Sequence, residues 1–428
     1  MIIKESDTAV IGLGYVGFPL ALDFCASGLT VIGFDTDELK VKKINDAQSY
    51  ISYIPSEMLA QYRADDLLQA SSDFSNLKKV KNIVITVPTP LTDHREPDLS
   101  FVKKTAEVIA SNLIRGQLVV LESTTYPGTT REVILPILER SGLKVGQDFY
   151  LAYSPERVDP NNKDFSARVI PKVLGGITTD CLSRAEELYA RVFKEVVPLS
   201  SVEAAEASKL LENIFRGVNI ALVNELKMLF DRMGIDVWEV IRAASTKPFG
   251  FMPFYPGPGL GGHCIPIDPF YLTWKAKEFD FSTRFIELAG QINSHMPYFV
   301  AQKVVDALNE EGKSIKNAEI LILGVAYKKD IDDMRESPAL KIIDLLNSKK
   351  AKVKYHDPYI PVVSGLRNYK DLYMESNKLD KELLQQQDCS IIITDHSCFD
   401  YQLILDNSAL LVDTRAVYNI DSPRIIRA

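Results

Sequence analysis

The chain has 428 residues, enough for two or three domains of about 150 residues each, and 46% of them are hydrophobic. The formal net charge of −8 argues against a nucleic-acid surface, which needs an excess of clustered Lys and Arg, and favours small molecules or another copy of the chain as partners. Five scattered cysteines and five scattered histidines predict no disulfide framework and no metal site, and they fit a reducing cytoplasm. No apolar run approaches the roughly 18 residues of a membrane span and no signal peptide is evident, so we expect no membrane partner.

The N-terminal region has the pattern of a βαβ unit, because residues 8–37 predict a strand, a glycine turn, a helix and a second strand. The turn has the sequence Gly12-Leu13-Gly14-Tyr15-Val16-Gly17. The N–H groups at the start of a helix can bind a pyrophosphate, and Asp35, after the second strand, can accept hydrogen bonds from a ribose. Because Asp35 and Asp37 would repel a 2′-phosphate, the sequence predicts NAD rather than NADP.

Polar side chains follow three further predicted strands in the same half of the chain. These strands are predicted at 82–87, 118–122 and 149–153. Ligands of open α/β sheets lie outside the carboxyl ends of the strands, so Pro88, Thr89 and Thr124 are expected to line the nicotinamide side of the site. Each segment could instead be a simple strand-ending turn. Glu156 and Arg157 offer charged groups at the same edge, with a surface salt bridge as the alternative.

A long helix is predicted in the middle of the chain. Residues 201–234 are apolar at helical spacing without a proline, which predicts one helix that connects domains or forms a dimer face. Two consecutive core helices are the alternative. Lys209 and Asn213 lie four residues apart and therefore on one face. A cation and an amide could together stabilise an oxyanion, although such pairs are more often part of a solvated helix face.

The C-terminal third repeats the alternation of apolar and helical stretches seen in the first domain. Gly324, Ala326 and Lys329 stand at the offsets of the three glycines of the first turn. This second turn is poorly suited to a pyrophosphate, but Lys328, Lys329 and Arg335 supply cations, which predicts a site for a different phosphorylated ligand. A duplicate without a ligand is the alternative.

The segment 257–268, GPGLGGHCIPID, places Cys264 directly after a run of glycines. A thiolate can add to an aldehyde to give a thiohemiacetal, from which a nicotinamide can remove a hydride, leaving a thioester for water to cleave. An alcohol could thus become an acid in one site. The alternative is a glycine-rich loop with a buried thiol.

The motifs GLGYVGFPLA, VPTP, ESTTYPGTT, SPERVDP, GGHCIPID and AYKKDIDDMRESPAL, with the helix of Lys209 and Asn213, resemble the UDP-glucose/GDP-mannose dehydrogenase family over essentially the whole chain. The resemblance implies NAD-dependent oxidation of the C6 alcohol of a nucleotide sugar to the carboxylate in two hydride transfers. It also implies an α/β fold of two Rossmann-like doubly wound domains joined by a helical middle with a long central helix that dimerises. We expect an NAD-binding domain at 1–195, a central helical domain at 196–310 and a UDP-sugar-binding domain at 311–428, assembled as a homodimer or higher homo-oligomer.

The resemblance also assigns roles to residues. It makes Cys264 the nucleophile, with Lys209, Asn213 and Asp268 in oxyanion stabilisation and water handling. Thr124 and Glu156 would assist proton transfer and thioester hydrolysis. Contacts with the UDP-sugar are expected from Glu156, Arg157, Lys209, Asn213, Phe254, Tyr255, Gly261, Lys328 and Arg335.

One departure bears on the substrate. Family members that act on UDP-glucose commonly have serine before the cysteine, whereas this chain has His263. That form resembles the branch that acts on UDP-N-acetylhexosamines for bacterial surface polysaccharides. We predict UDP-N-acetylglucosamine first, with UDP-N-acetylgalactosamine and UDP-N-acetylmannosamine behind it. An enzyme of the same chemistry that acts on UDP-glucose is the nearest competitor. From a different class, the chain could be a non-catalytic nucleotide-sugar binding protein, which would have no evident need of the cysteine with Lys209, Asn213 and Asp268.

Overall fold

The computed structural model describes residues 3–51, 53–92, 96–157, 167–262, 265, 267–366, 368–420 and 422–428. The chain divides into two compact units, one formed by Met1–Glu212 with Phe270–Ser282 and the other by Asn213–Pro269 with Thr283–Ala428. In the described part of the chain, every helix is too short or too polar to span a bilayer. The predicted boundaries at 195 and 310 stay predictions.

The first unit is built on an eight-stranded sheet. Its strands are β1 Ser6–Ile11, β2 Val31–Phe34, β3 Leu68–Ser71, β4 Val80–Ile85, β5 Leu118–Leu121, β6 Tyr150–Tyr153, β7 Lys172–Gly176 and β8 Val196–Leu199. Their spatial order is β3-β2-β1-β4-β5-β6-β7-β8, so the order reverses between β1 and β4. This is the strand order of a doubly wound dinucleotide-binding fold, in which the ligand lies at the reversal point.

Apolar residues on both faces explain why the strands of this sheet are buried. In β1, Val10 belongs to one core cluster while Ala9 and Ile11 belong to another on the opposite face. Helices cover both faces, as side chains that alternate along a strand require. The helices of this unit before residue 200 are Gly17–Ala26, Glu38–Asn45, Ser56–Ala64, Ser100–Asn112, Leu135–Leu138 and Thr179–Tyr189.

One pairing differs from the parallel pairing of the other strands in this sheet. β7 runs antiparallel to β6, with Ala152 opposite Gly176 and Tyr153 opposite Gly175. The described residues between β6 and β7 contain only a short 3-10 turn at Ala167–Val169.

The central helix spans Val202–Met233 as one element, so the prediction of a single long helix is confirmed and the two-helix alternative is wrong. Three further helices follow, at Val237–Ser245, Asp268–Ala276 and Arg284–Glu310. Gly217 does not interrupt the central helix, although glycine lowers helix stability by about 1 kcal/mol relative to alanine. Its carbonyl oxygen accepts a hydrogen bond from Nδ2 of buried Asn293 at 3.0 Å, which ties the helix to Arg284–Glu310.

The second unit contains a five-stranded parallel sheet and a small ribbon. Its strands are β9 Glu319–Leu323, β10 Lys352–His356, β11 Val362–Val363, β12 Met374–Glu375, β13 Cys389–Ile392, β14 Leu411–Asp413 and β15 Ile425–Arg427. Its last helices are Pro338–Ser348, Lys381–Gln385 and Tyr401–Asn407. The sheet order is β10-β9-β13-β14-β15, so its reversal point lies between β9 and β13. The predicted α/β class, with two Rossmann-like sheets and a long central helix, is confirmed.

Candidate functional site

The glycine turn after β1 fits a dinucleotide. Gly12 has φ +96°, and a Cβ there would lie 2.9 Å from the Thr86 carbonyl oxygen. A Cβ on Gly17 would overlap the Gly12 carbonyl oxygen, so this glycine is required for packing. A Cβ on Gly14, in contrast, would meet no described atom within 4 Å. Gly14 therefore faces open space, and without a side chain its backbone can be approached closely by a ligand.

The start of the helix that follows the glycine turn also suits an anionic ligand. Tyr15 and Val16 are each 39% exposed, and among the described residues no side chain caps the helix at Val16. Uncapped N–H groups at a helix start attract anionic oxygens such as those of a pyrophosphate. These observations support the predicted cofactor contacts at the turn.

Asp35 is linked to the glycine turn itself. Its Oδ2 accepts a hydrogen bond from the Leu13 N–H at 2.9 Å and lies 3.3 Å from Lys40 Nζ, while its Oδ1 accepts from the Asp37 N–H at 2.9 Å. A carboxylate has about four acceptor positions. Asp35 therefore fixes the turn and keeps capacity for a ribose hydroxyl.

The loops after β4 and β5 are fastened to each other, as neighbouring strands at the carboxyl edge allow. The Thr89 hydroxyl donates to the Thr124 carbonyl oxygen at 2.8 Å, and the Ser123 hydroxyl donates to the Val87 carbonyl oxygen at 2.7 Å. The Tyr271 hydroxyl donates to the Thr89 carbonyl oxygen. Pro88 is exposed at this edge. Thr89 and Thr124, predicted separately, thus belong to one hydrogen-bonded pair of loops at the carboxyl edge of the sheet, next to its reversal point.

Behind Glu156 lies a buried charge cluster that sequence reasoning missed. Lys172 Nζ is 2.7 Å from Glu122 Oε2 and 3.7 Å from Glu156 Oε2, and the Tyr189 hydroxyl donates to the other Glu122 oxygen. Burial alone would lower the pKa of Lys172, but the two carboxylates outweigh burial and raise it. Lys172 therefore joins the loop of Thr124 to the loop of Glu156. Its partners lie 50 and 16 residues away in the chain, so no local motif signals the cluster.

Arg157 has different partners from its neighbour. Its guanidinium donates to the Pro171 carbonyl oxygen at 2.7 Å and lies 2.8 Å from Glu212 Oε1. The salt-bridge alternative for Arg157 is therefore realised in this structure. Its predicted contact with a substrate stays a prediction.

Glu206 is a second buried group that sequence reasoning missed. It lies on the central helix and accepts hydrogen bonds from the Gly128 N–H at 2.6 Å, the Thr130 N–H at 2.8 Å and the Thr130 hydroxyl at 2.7 Å. Burial raises the pKa of Glu206 to about 7, against the effect of these three donors. The carboxylate holds the end of the ESTTYPGTT loop, which carries Thr124, to the central helix.

Lys209 and Asn213 are buried, 9% and 7% exposed, so the solvated-face interpretation of this pair is wrong. Asn213 Nδ2 donates to Asp268 Oδ2 at 2.5 Å, and Asp268 is also buried. A carboxylate and an amide without water around them are retained only where their hydrogen bonds are satisfied. The structure thus joins two of the predicted oxyanion and water-handling residues. Their roles stay predictions.

In the second unit, the glycine pair before the cysteine is packed against the second turn. A Cβ on Gly261 would lie 2.6 Å from Tyr327 Cβ, and one on Gly262 would lie 2.9 Å from the Tyr327 ring. The Gly262 N–H donates to the Arg335 carbonyl oxygen at 3.2 Å. His263 and Cys264 themselves lie outside the described residues. The segment that leads into them packs on Tyr327, the sequence neighbour of Lys328, on the loop that follows the carboxyl end of β9.

The predicted substrate residues of this unit have different surroundings. Lys328 is partly buried, whereas Arg335 is 44% exposed and its guanidinium makes a bidentate contact with Asp333, at 2.6 Å for the shorter oxygen. Tyr255 is 53% exposed. Phe254 packs edge to face on Phe215 with ring centroids 5.7 Å apart, which makes it a packing residue of the described loop.

Arg415 is a further cation at the carboxyl edge of the second sheet that sequence reasoning missed. It follows β14, and its Nε donates to the Ile393 carbonyl oxygen at 2.8 Å. A Cβ on Gly257 would lie 2.9 Å from its guanidinium, so the start of the GPGLGG segment rests on this group. In the local sequence, Arg415 is signalled only by its position two residues after Asp413, at the end of a strand, and this signal is weak.

Three family models match the chain. The model described as the NAD binding domain of the UDP-glucose/GDP-mannose dehydrogenase family matches residues 6–193. The models for the central domain and the UDP binding domain of the same family match residues 203–295 and 321–420.

Individual relatives align over most of their length. A UDP-N-acetyl-D-glucosamine 6-dehydrogenase of Salmonella typhi is 36% identical over 369 residues, which cover 86% of this chain and 85% of that protein. A UDP-N-acetyl-D-mannosamine dehydrogenase of Pyrococcus horikoshii is 37% identical over 394 residues, which cover 91% and 90%. A solved structure of the UDP-D-ManNAc dehydrogenase from Pyrococcus horikoshii superposes with a TM-score of 0.88 at 32% identity and covers 98% of both chains.

Proposed function

Because the chain belongs to the UDP-glucose/GDP-mannose dehydrogenase family and is an NAD-dependent UDP-sugar dehydrogenase, we propose that it oxidises the C6 alcohol of a UDP-N-acetylhexosamine to the uronate. UDP-N-acetylglucosamine is our first choice of substrate, in a pathway to a surface polysaccharide. The observation that carries the proposal is the packing of Gly261 and Gly262 on Tyr327, which ties the segment before Cys264 to the loop of Lys328.

The cofactor is NAD, as the family model of the first domain shows. We propose that Gly12, Gly14, Tyr15, Val16 and Gly17 hold its pyrophosphate, and Asp35 its ribose, with Pro88, Thr89 and Thr124 at the nicotinamide side. Bound NAD supplies the hydride acceptor for both oxidations.

The proposed chemistry of the chain's own residues begins with Cys264. Its thiolate adds to the C6 aldehyde, forming a C–S bond and an oxyanion. Lys209 and Asn213 stabilise that oxygen by hydrogen bonds, and Asp268 orients the Asn213 amide, as the 2.5 Å contact supports. After the second oxidation, water attacks the thioester, the C–S bond breaks and the thiolate leaves. Glu156 accepts the proton of that water, and the Thr124 hydroxyl assists by hydrogen bonding.

The choice among sugars is tested with purified protein, NAD and four substrates: UDP-N-acetylglucosamine, UDP-N-acetylgalactosamine, UDP-N-acetylmannosamine and UDP-glucose. NADH absorbance gives kcat/KM for each, and we expect the highest value for UDP-N-acetylglucosamine. The 37% identical relative from Pyrococcus horikoshii makes UDP-N-acetylmannosamine the second candidate. A preference for UDP-glucose would refute the argument from His263, and no NADH with any sugar would revive the non-catalytic alternative.

Arg335→Ala is expected to raise KM for the UDP-sugar about tenfold and leave KM for NAD unchanged. The exposed guanidinium can exchange Asp333 for a diphosphate, and charge-assisted hydrogen bonds of this kind contribute about 1.5–3 kcal/mol. Lys349→Ala, which removes an exposed cation elsewhere in the same unit, serves as the control. A matching loss of NAD affinity in the Arg335 variant would contradict the assignment of the C-terminal domain to the UDP-sugar.

We also propose a homodimer through the central helix. Phe215, Leu222 and Leu229 recur every seven residues and are 48%, 52% and 49% exposed, with Met233 at 57%. An apolar stripe with this spacing suits a second copy of the same helix, whose stripe would be identical.

Leu222→Glu is expected to shift the protein toward the monomer, because it places a charge in the middle of the apolar stripe. Light scattering coupled to gel filtration measures the mass, against about 48 kDa for one chain. Glu225→Gln, on the same helix, should leave the mass unchanged. A dimer that persists in Leu222→Glu at micromolar concentration would place the interface elsewhere.

A further inference from the structure

A buried histidine, His396, is hydrogen-bonded to the second turn, which lies on the loop that follows β9. His396 is 0% exposed, and its Nδ1 accepts a hydrogen bond from the Asp330 N–H at 3.0 Å. Its Nε2 lies 3.1 Å from Oδ2 of Asp357, which is 3% exposed. Because Nδ1 is an acceptor here, the proton of the neutral ring resides on Nε2, which donates to Asp357.

Asp357 holds the other end of the same loop. Its Oδ2 accepts hydrogen bonds from the Val325 N–H at 2.7 Å and the Ala326 N–H at 2.9 Å. The Thr394 hydroxyl donates to the Ala326 carbonyl oxygen at 2.6 Å. In the first unit, Asp35 accepts a hydrogen bond from the corresponding Leu13 N–H. In both turns, therefore, an aspartate carboxylate binds the N–H of the residue after the first glycine. In the second, the N–H of Ala326 is also taken by protein, which disfavours a pyrophosphate at that position.

Two cations of the second turn lie between these two anchors. Lys328 and Lys329 lie between Ala326 and Asp330 in the sequence. Tyr327, which follows Ala326, packs against Gly261 and Gly262. Asp330 has φ +59°, a left-handed conformation that a non-glycine residue keeps only when its surroundings fix it. Its Oδ1 also accepts from the Ser397 N–H at 2.8 Å, next to His396.

The location of this network matches the reversal point of the second sheet. His396 follows β13 and the loop of Lys328 follows β9, and these strands are neighbours where the strand order reverses. In open α/β sheets the ligand lies at that point. A rigid loop there places its cations before the ligand arrives and lowers the ordering cost of binding.

We propose that His396 is a positioning residue for the UDP-sugar, which through its Nδ1 acceptor holds the Asp330 end of the loop that carries Lys328 and Lys329. The proposal rests on the proposed function of the second domain. His396 is not among the residues assigned to the proposed chemistry. It acts on the backbone N–H of Asp330, and the Asp357 contact keeps the ring in the tautomer that can accept.

Two substitutions separate the two nitrogens of the ring. Asparagine can present its carbonyl oxygen near the position of Nδ1, so His396→Asn keeps the acceptor for Asp330 and loses the donor to Asp357. Glutamine can present its amide near the position of Nε2, so His396→Gln keeps the donor and loses the acceptor. Both remove the aromatic ring, which makes each the matched control of the other.

We expect His396→Gln to raise KM for the UDP-sugar about tenfold, the usual scale for one lost hydrogen bond to a buried group, with kcat and KM for NAD within about twofold of wild type. His396→Asn should have a KM for the UDP-sugar much nearer to wild type. Calorimetric titration with UDP alone should show the same ranking. Equal KM values in the two variants, or a loss in kcat and NAD affinity of the same size, would overturn the positioning role and leave a purely structural histidine.

The unmodified enzyme supplies a measurement that does not depend on the variants folding. Hydrogen–deuterium exchange of the segment 325–332 should be slow before UDP is added and change little afterwards, since the loop is already held. Fast exchange that becomes slow only with UDP would refute a preformed loop. Wild-type turnover of a UDP-sugar is measured first, because its absence would contradict the proposed function rather than the role of His396.

Discussion

Cys264→Ser is expected to reduce uronate formation at least about a thousandfold while leaving NAD and UDP-sugar binding near wild type. A serine hydroxyl is a far weaker nucleophile than a thiolate near neutral pH, so the covalent adduct with the aldehyde should fail to form. The first oxidation needs no sulfur, and the variant should therefore release at most one NADH per sugar. Product analysis by mass spectrometry, with NADH absorbance, measures both quantities.

The matched control for this variant is Cys398→Ser, which changes an exposed cysteine after β13 and should retain wild-type turnover. Calorimetric titration with NAD and with the UDP-sugar checks that binding survives in both variants. Full uronate formation by Cys264→Ser would refute the covalent route. Equal loss in both variants would point to a general sensitivity to the substitution.

Gly14→Ala is expected to weaken NAD binding at least about tenfold without lowering the melting temperature. A Cβ at Gly14 meets no described atom within 4 Å, so the folded chain tolerates it, but the added methyl group enters the space proposed for the pyrophosphate. Fluorescence titration with NADH gives the affinity, and calorimetric scanning gives the melting temperature.

Gly17→Ala separates a packing effect from a ligand effect. A Cβ there overlaps the Gly12 carbonyl oxygen, so this variant should lose folding stability and NAD binding together. If Gly14→Ala lost as much stability as Gly17→Ala, Gly14 would be a packing glycine. If it bound NADH as tightly as wild type, the pyrophosphate would lie elsewhere.

The large features of the fold could be predicted from the sequence because their signals are local. The βαβ unit with its glycine turn and the uninterrupted central helix follow from patterns within about thirty residues. β3, with the sequence LQAS, has no β-branched residue, so this strand depends on the neighbour it pairs with.

The candidate site was predictable only where motif residues carry it. Asn213 and Asp268, 55 residues apart, do meet, but their burial and their contact come from tertiary structure. Lys172, Glu206 and His396 were missed because each acts on a backbone or side-chain group far away in the chain. Phe254 packs on Phe215 in an aromatic pair that buries apolar area, and its predicted contact with the substrate stays a prediction.

The covalent mechanism and the choice of substrate are tested together by the number of NADH molecules formed per UDP-N-acetylglucosamine consumed, with the product identified. We expect two NADH and the uronate, because the aldehyde from the first oxidation is held on Cys264 as a thiohemiacetal and oxidised to the thioester before release. One NADH with a free aldehyde would contradict the covalent second oxidation, and none would contradict the assignment of this sugar as substrate.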